Sequence, residues 1–129
     1  GSMFAFGNTS GNGTVTSVSF ILTNALKGQA IDLAPNSGNT TATHVTVIDY
    51  TDAVQHVADI PWSIEFIGKN SGDWLLEQDE QAVITVDLST VAGLGVYDSF
   101  VIEVKPVTGA SLVMERTLPG RIDEVMDLH

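Results

Sequence analysis

Five oxygen-bearing side chains crowd a short stretch of this chain: Asn70, Asp73, Glu77, Asp79 and Glu80. Hard cations collect roughly six to eight oxygens from such loops, backbone carbonyls included, so the stretch suits Ca2+ or another divalent cation. It is not an EF-hand. With Glu80 as the last ligand of that motif, Lys69 falls at the first position and Trp74 where the turn requires glycine. Asp73 and Glu80 are the stronger candidate ligands. The same residues also suit a plain acidic turn, in which Asp73 hydrogen-bonds its own backbone after Ser71-Gly72 and Glu77, Asp79 and Glu80 stay solvated. Carboxylates this close repel one another, so a divalent ion or added salt should tighten the loop.

Three tripeptides permit N-linked glycan attachment: Asn8-Thr9-Ser10, Asn12-Gly13-Thr14 and Asn39-Thr40-Thr41. All fall in expected loops or near the chain start, where a glycan has room. A chain rich in Asn, Ser and Thr also contains such tripeptides by chance.

Covalent chemistry has little to work with. No serine sits in a Gly-x-Ser-x-Gly elbow. Ser99 follows Asp98, with no histidine nearby in sequence. His44, His56 and His129 are too few and too scattered for a zinc motif. Gly93-Leu94-Gly95 lacks a third glycine at the dinucleotide-binding offset, and Asp98 would repel a phosphate, so this is a turn. There is no cysteine, hence no disulfide framework and no thiol nucleophile. No catalytic residues are expected. An enzyme would need a concave pocket with convergent polar groups that nothing here requires.

The 129 residues suffice for one domain with a real core. Asp and Glu number 16 against 5 Lys and Arg, a net charge of −11. That balance argues against nucleic acid and against an anionic membrane surface, and favours cations, a saline medium or solubility through self-repulsion. Gly1-Ser2-Met3 reads as a cloning scar. The longest apolar stretches fall well short of the roughly 20 residues needed to span a bilayer, and any targeting segment is expected to lie outside this sequence.

The elements that must position these groups read as strands. Val15–Thr23 begins half-exposed and becomes apolar on both faces. Ala30–Leu33, His44–Tyr50, Trp62–Ile67, Ala82–Leu88, Phe100–Lys105 and Leu112–Thr117 follow. Phe100, Ile102 and Val104 share one face, and Trp62 is expected in the core. Val107–Ala110 suits a hairpin loop. Tyr50–Ile60 reads as a loop with at most one helical turn. Residues 4–13 read as a flexible start and 14–129 as the folded domain, ending in an acidic tail. About seven short strands with turns between them predict an antiparallel, immunoglobulin-like β-sandwich, with a closed barrel as the alternative.

Several phrases, in order, carry a resemblance. They are Val18-x-Phe20-x-Leu22-x-Asn24, Ala30-Ile31-Asp32-Leu33, Tyr97-Asp98-x-Phe100, Glu103-x-Lys105-Pro106, Gly109-Ala110-x-Leu112, Glu115-Arg116-Thr117-x-Pro119 and Val125-Met126-Asp127-Leu128. Over residues 14–128 the chain resembles the C-terminal half of archaellins, the filament subunits of the archaeal swimming organelle. The acidic stretch also looks like an archaellin loop, although Asp79 stands where that loop usually has glycine. The resemblance implies an extracellular structural subunit whose leader and long apolar helix lie upstream. Its partners would be copies of itself in a helical filament, or other archaellins, with no nucleic acid and no membrane contact for this β-domain. It also raises the expectation of N-glycosylation. Glu103, Lys105, Glu115 and Arg116 would then serve cross-strand pairing or subunit contact. A related β-sandwich that anchors the motor to the cell envelope, or a secreted adhesive domain, is the alternative.

Overall fold

A computed structural model describes residues 3–8, 13–23, 31–32, 46–67, 75–78, 80–89, 91, 93–106 and 111–128. The strands are β1 (Met3–Asn8), β2 (Thr14–Thr23), β3 (Ile31–Asp32), β4 (Val47–Asp52), β5 (His56–Val57) and β6 (Trp62–Ile67). They continue as β7 (Leu75–Leu76), β8 (Gln81–Asp87), β9 (Ser99–Lys105), β10 (Leu112–Thr117) and β11 (Val125–Asp127). One sheet has five strands in the order β11-β1-β2-β8-β6; a second has four, β10-β9-β4-β5; β3 and β7 form a two-stranded ribbon. Among the described residues every pairing is antiparallel. This is a β-sandwich, as the alternation of apolar and polar residues predicts.

Period-two patterning builds the core. Ala82, Ile84 and Val86 of β8 are buried, as are Phe100, Ile102 and Val104 of β9. They join one apolar cluster with Val18 and Phe20 of β2 and Ile48 and Tyr50 of β4. Trp62 is almost fully enclosed, as expected of a core tryptophan. The rings of Tyr50 and Phe100 stack with centroids 6.2 Å apart.

Three local expectations need correction. The start is no loose end: residues 3–8 form β1, hydrogen-bonded between β11 and β2. Met3 and Ala5 point into the core while Phe4 and Phe6 face outward, so the alternation that makes a strand begins at the residue read as part of a scar. Leu128 N–H donates to Met3 O at 2.8 Å, closing the chain end onto the start. β2, second, is apolar on both faces at Phe20 and Ile21 but is not buried on both, since Ile21 lies outside and is 55% exposed. Third, Tyr50–Ile60 is a hairpin of β4 and β5, with Tyr50 opposite Val57 and Thr51 opposite His56. The hairpin loop expected at 107–110 lies outside the described residues; β9 and β10 on either side pair with Leu112 opposite Val104.

Candidate functional site

Asn70, Asp73 and Asp79 of the acidic stretch, and Trp74 within it, lie outside the described residues. Glu77 and Glu80 lie within them and close a turn on each other. Glu77 N–H donates to Glu80 Oε1 at 2.7 Å, and Glu80 N–H to Glu77 O at 3.1 Å. β7 precedes this turn, with Leu76 buried and paired to Ile31, so the stretch is pinned to the sandwich from one side. Among the described residues no three acidic or histidine side chains converge as a metal site. Of the three candidate glycan sites, Asn8 ends β1 with its backbone opposite Thr14, while Asn12 and Asn39 lie outside the described residues.

Asp49, Lys105 and Asp52 brace the second sheet. Asp49, on the outward side of β4, is buried and accepts hydrogen bonds from Lys105 Nζ at 2.5 Å and Asp59 N–H at 3.0 Å. Burial pushes its carboxyl up, but the bonds from Lys105 and the Asp59 amide outweigh it and hold the group below the usual carboxylate range. The bond to Asp49 raises the Lys105 ammonium in turn. Sequence reasoning expected Lys105 to find partners across β9 and β10. Instead it turns to β4, with Glu103 Oε1 4.0 Å away. The β9–β10 register sets Val113 opposite Glu103 and Phe100 opposite Arg116. Asp49 was missed. Its signal was one acid in the apolar run Val47-Ile48-Asp49-Tyr50.

Asp52 organises the β4–β5 hairpin. Its Oδ1 accepts from Val54 N–H at 2.9 Å and Gln55 N–H at 3.0 Å, and its Oδ2 accepts from Tyr50 OH at 2.6 Å. Burial raises the Asp52 carboxyl, but the Tyr50 and turn hydrogen bonds lower it further than burial lifts it. Burial, then the Asp52 carboxylate, push the Tyr50 phenol well above its ordinary range. Beside this hairpin lies a groove of about 230 Å³, lined by Asp52, Ala53, Val54, Gly93, Asp98 and Ser99. Its groups are already engaged. Asp98 Oδ2 accepts from Gly95 N–H at 2.8 Å in the turn that presents exposed Tyr97 with a left-handed φ of 62°. Ser99 Oγ bonds Thr117 Oγ1 at 2.7 Å, and His56 Nδ1 bonds Thr51 Oγ1 at 2.7 Å. The structure therefore brings none of these into a nucleophile–base pair.

The outer face of the five-stranded sheet is different in kind. A groove of about 520 Å³ there is lined by Phe4, Phe6, Ser19, Phe20, Ile21, Thr23 and Val83. Phe4 is 41% and Val125 60% exposed, and Val125 sits opposite Phe6. Reading residues 4–13 as flexible hides this face; the Phe4-x-Phe6 alternation is its signal in the sequence.

Fold and chemistry together define an all-β sandwich domain in which Asp49, Lys105, Asp52 and Asp98 brace the protein's own strands and turns and the outer face of one sheet carries an apolar groove. No protein-family model matches the chain. "Probable flagellin 1" of Archaeoglobus fulgidus is 37% identical over 141 aligned positions, covering 99% of this chain and 68% of that protein. "Probable flagellin 2" of the same organism is 32% identical over 122 positions, covering 89% of this chain and 58% of that protein. The chain belongs to the archaeal flagellin family. It spans about two thirds of the first relative's length and less of the second's. Its fold matches the crystal structure of archaeal flagellin FlaB1 from Methanocaldococcus jannaschii, with a TM-score of 0.78 at 11% identity over 98% of this chain and 92% of that one. It also matches the archaeal flagellum of Methanospirillum hungatei, with a TM-score of 0.69 at 18% identity over 97% of this chain and 66% of that one.

Proposed function

We infer that this chain is the outer-shell domain of an archaellum filament subunit, an extracellular structural protein that works by contact with copies of itself. The observation that carries the reading is the 37% identity to a flagellin across 99% of this chain. The sandwich supports it, since Asp49, Lys105, Asp52 and Asp98 are spent on internal bracing. In this reading the remainder of the subunit contributes the long apolar helix that the resemblance implies. Such helices bundle in a filament centre because their apolar stripes cannot face water. The β-domains then form the coat, and head-to-tail contacts that do not close into a ring generate an open helix.

The net charge of −11 sets the conditions. Copies of one acidic domain repel each other over a Debye length of about 8 Å at physiological ionic strength, so a saline medium favours their approach. The test is to express the full-length gene in an archaeal host deleted for its own filament genes. Filaments seen by electron microscopy, carrying this domain by antibody labelling, are expected. Secretion of a folded subunit that neither forms filaments nor enters those of the host overturns the reading.

A further inference from the structure

We propose that the outer face of the five-stranded sheet, centred on Phe4, Phe6, Ile21 and Val83, is the seat of a second copy of this chain. The inference rests on the filament reading and adds to it the surface through which the coat domains meet.

The face is continuous across four neighbouring strands. Val125 of β11 lies opposite Phe6 of β1, Phe4 lies beside Ser19 of β2, and Ile21 of β2 lies opposite Val83 of β8. Phe4, Ile21 and Val125 are all substantially exposed, and Phe4, Phe6, Ile21 and Val83 line the groove of about 520 Å³. Scattered apolar residues on a surface are ordinary, but a contiguous concave patch marks a contact site.

Charge selects the occupant. The chain carries 16 acidic residues, yet neither β1 nor β2 contains a charged residue. The acids stand at the margin: Asp127 opposite Phe4, Asp87 opposite Ser17 and Glu65 opposite Val83. A basic partner would gain by covering carboxylates and would find none in the centre of this face. A like-charged partner must avoid them, because repulsion grows as water is squeezed from between two acids. The chain's own copies carry that same negative charge, and here they bury apolar surface with their carboxylates held at a hydrated rim. Leu112 and Val113 of β10 are also exposed, but Glu115 follows on the same strand and Glu103 lies opposite Val113.

The chain contains no cysteine, so Ile21→Cys places a single thiol on this face. In the full-length protein, maleimide should label that thiol freely in dissociated subunits and at least about tenfold more slowly in intact filaments, because a closed contact excludes water and reagent alike. Equal labelling in the two states overturns the proposal. So does a thiol already protected in the dissociated subunit, which would mean that the subunit's own chain covers the face. Ile21→Asp gives an independent reading. Its side chain lies on the surface, so the melting midpoint of the purified subunit should hold while filaments are lost or shortened. Filaments of normal length from Ile21→Asp subunits overturn the proposal and leave the filament reading standing. Failure of the unsubstituted protein to polymerise strikes the filament reading itself.

Discussion

Lys105 and Asp49, 56 residues apart, meet with Nζ 2.5 Å from Oδ2, and the Asp59 amide completes the carboxylate's partners. Asp49 is buried and Lys105 half-exposed, so the pair acts as a lid on the outer side of the four-stranded sheet. Removing the carboxylate takes an acceptor from the part-buried Asp59 amide and the ion partner from Lys105. Asp49→Ala should therefore cost about 1–3 kcal/mol, read as a lowered denaturation midpoint at unchanged slope. Asp49→Asn keeps an acceptor for Asp59 N–H and should cost less. A cost for Asn equal to that for Ala would count against this account.

The same carboxylate makes stability depend on acid. Its folded pKa lies below the unfolded value of 3.8, so its contribution is complete above that value and is lost as pH falls through the folded one. Asp52 shifts in the same direction and adds to the effect. Thermal melting of the unsubstituted chain should fall steeply below about pH 4, with a shallower fall for Asp49→Asn. Parallel curves for the two proteins would refute the assignment.

Tyr50 gives the opposite arm. Its phenol donates to Asp52 Oδ2, and its folded pKa is raised above the unfolded 10.0. A raised acid stabilises fully below the unfolded pKa and loses that contribution as pH rises through the folded one. Tyr50→Phe should cost about 1.5–3 kcal/mol at neutral pH, as expected for a hydrogen bond to a charged group. It should also flatten the alkaline fall above pH 10.0, which absorbance-monitored unfolding would detect.

Much of the fold was legible where order is local. Strands such as Phe100–Lys105 and Ala82–Leu88 announce themselves by alternation, and Trp62 after Pro61 was rightly expected in the core. What escaped was order supplied from a distance. β1 depends on β11, at the far end of the chain. The β4–β5 hairpin is local but escaped for another reason: it runs through polar residues without alternation, and one carboxylate, Asp52, caps its turn. Asp49 gave no sign of its partner because Lys105 lies on another strand. The outer apolar face was legible residue by residue, but its assembly required the β1–β2–β8 register.

Gly7 separates packing from backbone conformation. A Cβ there would lie 2.6 Å from both Asp123 O and Ile122 Cγ2. Backbone cannot yield cheaply, so Gly7→Ala should cost about 1–3 kcal/mol and loosen the β1–β11 closure. Gly93 has a φ of +74° and open space around it, so Gly93→Ala should cost about 1–2 kcal/mol through conformation alone. Hydrogen exchange tells the two apart. The Gly7 variant should speed exchange at the Gly7 and Leu128 amides, which bond across that closure, and the Gly93 variant should leave them unchanged.

Salt and calcium test the acidic stretch and the net charge together. With −11 on 129 residues, added monovalent salt should raise the melting midpoint by screening repulsion, and the gain should level off as the Debye length falls below charge spacing. Glu77 and Glu80 already share a turn, so an ion held by oxygens from Asn70, Asp73, Glu77, Asp79 and Glu80 would lock one strand end against β3. Millimolar Ca2+ should then raise the midpoint further than NaCl of equal ionic strength, by mass action on the folded state, and chelator should reverse it. Asp73→Asn should abolish the calcium-specific part and spare the salt response. Calcium and NaCl curves that coincide at equal ionic strength would assign the loop to a solvated turn and remove Asp73 and Glu80 as ligands.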